Sequence, residues 1–123
     1  MVKANELRIG NWIGNVISDK PYKVEIIKAQ AVKNGIFYTV NELLQEHLTP
    51  IPLTPEILEK CGFVSKDMAD IGIFIYLKIS DDITINWNQG SMWLFDYNTN
   101  IKYLHSLQNL IHALTGEELN VQL

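Results

Sequence analysis

Hydrophobic and polar positions alternate with a period of two through much of the chain and shift to a helical period in a few stretches. A period of two marks a strand with one face on the core, and a period near 3.6 marks a helix with one apolar stripe. Residues 11–17 (NWIGNVI) and 22–32 (YKVEIIKAQAV) have the first pattern, and Ser18-Asp19-Lys20-Pro21 between them is turn chemistry, so a hairpin is expected. Asn34-Gly35 then signals a second tight turn into residues 36–40 (IFYTV), which makes the first third a three-stranded antiparallel meander.

The middle of the chain changes character. Asn41 is placed to cap a short helical stretch through Leu48, with Leu43, Leu44 and Leu48 on one side. Pro50 and Pro52 force residues 49–53 to be extended, as a connector laid along the surface. Thr54-Pro55-Glu56 is a helix start, with a hydroxyl N-cap, proline at the first position and a carboxylate at the positive end of the dipole. Gly62 is expected to end that helix after about two turns.

A second β region covers residues 71–97. Ile71, Ile73, Ile75, Leu77 and Ile79 share one face and Phe74, Tyr76 and Lys78 the other, the pattern of a central strand nearly buried on both sides. Residues 82–87 and 92–97 form a hairpin through Asn88-Gln89-Gly90-Ser91, and pairing Ile85 with Phe95 would put Ile83, Ile85, Trp87, Trp93, Phe95 and Tyr97 on one apolar face. Residues 101–114 form the best helix, with Leu104, Leu107, Leu110, Ile111 and Leu114 in one stripe and Gly116 as the stop. The expected architecture is a single α+β domain over residues 1–123. It has a β meander at about 8–40, a connector and short helix at 41–62, and a second meander with a C-terminal helix packed on the sheet at 63–123.

Composition agrees with a folded protein: 123 residues, 47% hydrophobic and 20% charged. The longest apolar run, residues 71–77, is far short of the ~20 residues of a membrane helix, and residues 1–12 lack the pattern of an export signal. One cysteine, Cys61, makes no intramolecular disulfide, so a cytoplasmic location is expected. Net charge is −4, distributed unevenly. Residues 1–40 carry six cations against three carboxylates, and the rest carries four lysines against eleven carboxylates. Such asymmetry suits a nucleic-acid-facing end, and equally suits solubility or a self-complementary oligomer contact.

Candidate chemistry is sparse. His105 and His112 share an angular position, yet seven residues along a helix separate their backbones by roughly 10 Å, too far for one metal ion, which wants ligands a single turn apart. With Gln108 and Asn109 they read as a solvated helix face that could meet a protein partner. Cys61 lies at a helix C-terminus, where the dipole disfavours a thiolate, so it reads as a core residue rather than a nucleophile with His47. Asp67 with Asp70, and Asp81 with Asp82, lie in polar turns, and Thr115 with Glu118 has capping-box spacing. The aromatic residues, Trp12, Trp87, Trp93, Phe95 and Tyr97 among them, read as core packing. No nucleotide, hydrolase or zinc signature occurs, so no catalytic residue, metal or cofactor is expected.

Three segments carry a resemblance: NELRIGN at residues 5–11; IPLTPEIL at 51–58 with CGF at 61–63; and LHSLQNL at 104–110 with ALTGEEL at 113–119. Together they resemble an uncharacterised family of small proteins encoded in prophages, phages and integrative elements of gut bacteria. That family offers no activity to carry over, so no residue takes a role from it. Gly10-Asn11 before Trp12-Ile13 resembles the opening of SH3-like small barrels. The absence of a chemical motif and the polar face of His105, Gln108, Asn109 and His112 lead to the expectation of a non-enzymatic protein-binding or structural accessory that binds a protein partner or itself as a homo-oligomer, and the resemblance would place it in a phage or mobile element, in the host cytoplasm or with the virion. The alternative is nucleic-acid binding through the basic meander, with Arg8, Lys20, Lys23, Lys28 and Lys33 on phosphates.

Overall fold

In the computed structural model the predicted alternation becomes, among the described residues, eleven strands, all paired antiparallel, with two α-helices, an α+β fold. The structure describes residues 2–18, 20–68, 72–88, 90–95 and 97–123. Two compact units make up the chain, Met1–Pro52 with Tyr103–Leu110 and Leu53–Lys102 with Ile111–Leu123.

In the first unit, β1 (Trp12–Asn15) pairs with β2 (Tyr22–Lys23) as the expected hairpin. The long second segment then breaks: Val24 still exchanges hydrogen bonds with Gly10 and Asn11, but residues 25 and 26 leave that pairing and β3 (Ile27–Val32) starts a separate sheet. Asn41 makes the break affordable to the backbone. Its Oδ1 accepts from the N–H groups of Glu25 and Ile26 at 2.9 and 3.0 Å, and its Nδ2 donates to the Lys23 carbonyl at 2.9 Å. The helix expected from Asn41 to Leu48 is therefore absent. Asn41 and Glu42, at φ 49° and 69°, instead form the two-residue turn between β4 (Gly35–Val40) and β5 (Leu43–Leu44). Positive φ at both central positions is what a type I′ hairpin turn requires, and asparagine tolerates it best after glycine. A single 3₁₀ turn, Gln45–His47, follows.

β3 pairs with β4 from Ile27↔Val40 to Val32↔Gly35, so the loop between them is Lys33 and Asn34. Residues 28–37 are exposed on this ribbon, and its base alone joins the core of Val2, Ala4, Leu7, Ile13, Val24, Val40 and Leu48. The proline connector does more than lie on a surface. β6 (Leu48–Thr49) pairs with β1, and Gly14 opposite Thr49 is needed there, since a Cβ would meet Thr49 Oγ1 at 2.7 Å. The Ile51 carbonyl accepts from Leu104 N–H at 2.8 Å, and Pro52 bridges Tyr103.

In the second unit, α1 (Pro55–Lys60) follows its sequence signals closely. Thr54 Oγ1 accepts from Ile57 N–H at 3.2 Å. At the other end Gly62, at φ 91°, donates to Glu59 O and Phe63 N–H donates to Leu58 O, a Schellman closure with buried Leu58 and Phe63 in its apolar pair. A five-stranded sheet follows in the order β11 (Tyr97–Asn98), β10 (Ser91–Leu94), β9 (Thr84–Asn88), β8 (Gly72–Lys78), β7 (Val64–Met68). β8 is internal but not fully covered: residues 75–77 are half-buried and Lys78 is exposed. Ile71 lies outside the described residues.

The register of the last hairpin is shifted by one from the expected pairing. Asn88 pairs with Ser91, so the loop has two residues, and Ile85 faces Leu94 rather than Phe95. Loop length sets the parity of the ladder, and a one-residue shift exchanges the faces. Met92 therefore joins Ile85 at 0% exposure, while Phe95 at φ 55° and Tyr97 are 64% and 72% exposed and are not core residues. α2 (Leu104–Thr115) closes at Gly116, φ 75°, and contributes 104–110 to the first unit and the remainder to the second. The Thr115 hydroxyl donates to Ile111 O and accepts from Glu117 N–H; it terminates α2 instead of capping a new helix.

Candidate functional site

The polar residues expected on a solvated face of α2 are instead largely buried. His105 and Gln108 are each 1% exposed. Gln108 Oε1 accepts from Trp12 N–H at 2.8 Å and its Nε2 donates to the Gly10 carbonyl at 3.1 Å. Asn109 Oδ1 accepts from Arg8 Nε at 2.8 Å and Asn11 Nδ2 at 3.0 Å, and its Nδ2 donates to Glu6 O at 2.8 Å. Asn11, fully buried, uses its Oδ1 to accept from Arg8 N–H at 2.7 Å. The segment from Glu6 to Trp12 has backbone groups that no strand satisfies, and amides on α2, each both donor and acceptor, serve them. Three of the four residues proposed as a contact face, His105, Gln108 and Asn109, thus come together in an internal network, and His112 is left out of it.

His105 Nε2 lies 3.3 Å from Glu6 Oε2, its ring stacks on Tyr103 at 6.1 Å, and its Nδ1 is buried without a hydrogen-bond partner among the described residues. Burial lowers its pKa from 6.5; the hydrogen bond and charge of Glu6 pull the other way without prevailing. The ring is neutral at pH 7.

The basic residues are similarly dispersed in role. Arg8 belongs to the network, with a second guanidinium contact to Gln108 O at 3.2 Å, so it is not an open phosphate ligand. Lys23 Nζ sits 5.6 Å from the centroid of the Trp12 ring. Lys20, Lys28 and Lys33 are exposed.

Cys61 is 3% exposed, and burial pushes its thiol up to about 11, which keeps it protonated at neutral pH. That suits a core residue and opposes a nucleophile. Asp81 pairs with Lys78 at 3.5 Å in the β8–β9 loop, and Asp70 and Asp96 lie outside the described residues. Among the described residues no three metal-ligating side chains gather, and no helix is long and apolar enough to cross a membrane.

A concavity in the second unit involves residues that no sequence motif marks. Cross-strand pairing aligns Ser65, Ile75 and Trp87 in one row across β7, β8 and β9. α1 flanks this row, and the space between them is a groove of about 580 Å³ lined by Pro55, Glu56, Glu59, Phe63, Val64, Ser65, Ile75, Trp87 and Asn88. Its apolar part comes from Phe63, Ile75 and Trp87, and its charge from Glu56 and Glu59, both exposed. The two carboxylates stand three residues apart, on one face of α1. The signal in the sequence was this i, i+3 acid pair in a capped helix next to a strand, but the groove itself depends on sheet register. A volume of this size suits several side chains of a partner segment. Compared with protein-family models, curated proteins and solved structures, the chain matches none.

Proposed function

We propose that this chain is a non-enzymatic protein-binding accessory of a phage or mobile element, and that the α1 groove is where its partner is held. The observation carrying this reading is the composition of the groove: an aromatic and aliphatic lining bordered by Glu56 and Glu59, which have no ion-pair partner among the described residues. Apolar contact supplies most of the affinity, at ~25 cal/mol per Å² buried, and the carboxylates select a cationic neighbour, each exposed pair adding only about 0.2–1 kcal/mol. The expected occupant is a protein segment with apolar side chains next to lysine or arginine. Charge in the second unit agrees, with four cations against nine carboxylates.

The test is selection of displayed random heptapeptides on the nuclease-treated protein, scored against a Glu56→Gln/Glu59→Gln variant. Enriched sequences should combine apolar residues with lysine or arginine and lose about tenfold in affinity on the variant. Enrichment of acidic sequences, or equal binding to both proteins, would overturn the reading.

A further inference from the structure

We propose that the partner binds by strand addition, as an extended peptide segment hydrogen-bonded along the open edge of β7. This rests on the groove being a protein-binding site and specifies how it is used. Among the described strands, four of the six sheet edges, β2, β5, β6 and β11, are two residues long and offer little to pair with. β3 and β7 are the long ones, with six and five residues. The shallow depression in the first unit is lined from β4 and β5 and their neighbours, not from β3. Among the described strands β7 combines a long edge with a groove that its own residues, Val64 and Ser65, help to line.

An edge strand presents unpaired N–H and C=O groups, and Val64, Ser65 and Lys66 are all exposed, Val64 by 53%. A segment laid against them gains main-chain hydrogen bonds, while alternate side chains, ~6.8 Å apart, point to the groove side. An inward side chain of the added strand lies beside Ser65, which lines the groove, and points toward Ile75 one strand further in, at ~4.8 Å per strand, with Trp87 on the strand after that. Glu56 and Glu59 on α1 stand over that same side and fit a lysine or arginine at an inward position. Alternation along β7 places Lys66 on the face opposite Ser65, so no cation of β7 repels the incoming one. The partner segment therefore reads apolar, any, basic, any, apolar, with the inward set carrying selectivity and the backbone carrying much of the affinity.

The test uses fluorescein-labelled Thr-Val-Thr-Lys-Thr-Val-Thr on the full chain. Saturable binding is expected, weakened tenfold or more when its lysine becomes glutamate. N-methylation of one alternate set of backbone amides should weaken it at least tenfold, and N-methylation of the other set should leave Kd within twofold. Hydrogen exchange of the amides at 64–66 in the unaltered protein should slow when the peptide is bound. Equal sensitivity to both methylated sets, or unchanged exchange at 64–66, overturns strand addition and leaves the groove reading standing. Absence of saturable binding overturns both.

Discussion

The two units use their polar side chains in opposite ways. In the first, Asn11, Asn41, Gln108 and Asn109 turn inward and satisfy backbone groups that irregular turns would otherwise leave unpaired. In the second, ladder bonds, the Thr54 and Gly62 caps and short-range bonds such as Thr99 Oγ1 to the Met92 carbonyl serve the backbone, and Glu56 and Glu59 are left exposed beside an apolar groove. Polar residues clustered on one helix face are thus no guide to function by themselves. What matters is whether the chain has already used their hydrogen bonds, and that points to α1 rather than α2.

The sharpest way to break this contrast is Gln108→Ala. It leaves the Trp12 N–H and the Gly10 carbonyl without partners, and at about 1–3 kcal/mol for each stranded group the loss should be ~3 kcal/mol in urea unfolding. A loss below about 0.5 kcal/mol would mean that the network is dispensable.

A smaller, pH-gated effect comes from His105. Its folded pKa is lowered from 6.5, so the unfolded chain binds more protons between these values and stability rises with pH there. Stability is full above about pH 6.5 and is progressively lost as pH falls through the lowered folded value. Unfolding midpoints at pH 7.5, 6.5 and 5.5 should show that decline, and His105→Gln should flatten it. A midpoint that rises toward pH 5.5 would reverse the assignment.

The smallest expected change is in the second unit: Glu56→Gln/Glu59→Gln should alter stability by no more than about 1 kcal/mol, because both side chains are exposed and only Glu56, in the first turn of α1, loses an interaction with the helix dipole. The same variant should weaken peptide binding, so a stability loss approaching that of Gln108→Ala would place the carboxylates in the structure rather than the site.

Much of α1 was legible because its instructions are local. Thr54, Pro55 and Gly62 act within one turn of the groups they satisfy. The strand periods were legible for the same reason, but two turns were not. Asn41 reads as a helix cap until its side chain is seen bridging the gap between β2 and β3, 15 to 18 residues back in the chain. The β9–β10 hairpin differs from expectation by one residue of loop, enough to expose Phe95 and bury Met92.

The α2 residues show the limit most clearly. Hydropathy placed Gln108 and His105 opposite the leucines, yet the buried set is Leu104, His105, Leu107, Gln108 and Ile111. The contacts that bury these amides join residues about 100 positions apart, and no local pattern encodes such a pairing. By itself, then, the sequence determined where α1 starts and stops, where α2 ends and which stretches extend, all of which follow from short-range sterics and hydrogen bonding, and it showed that cations gather early and carboxylates late. Tertiary structure decided which polar side chains face inward and where a groove opens beside a free strand edge, because both depend on backbone groups brought together only after the chain has folded.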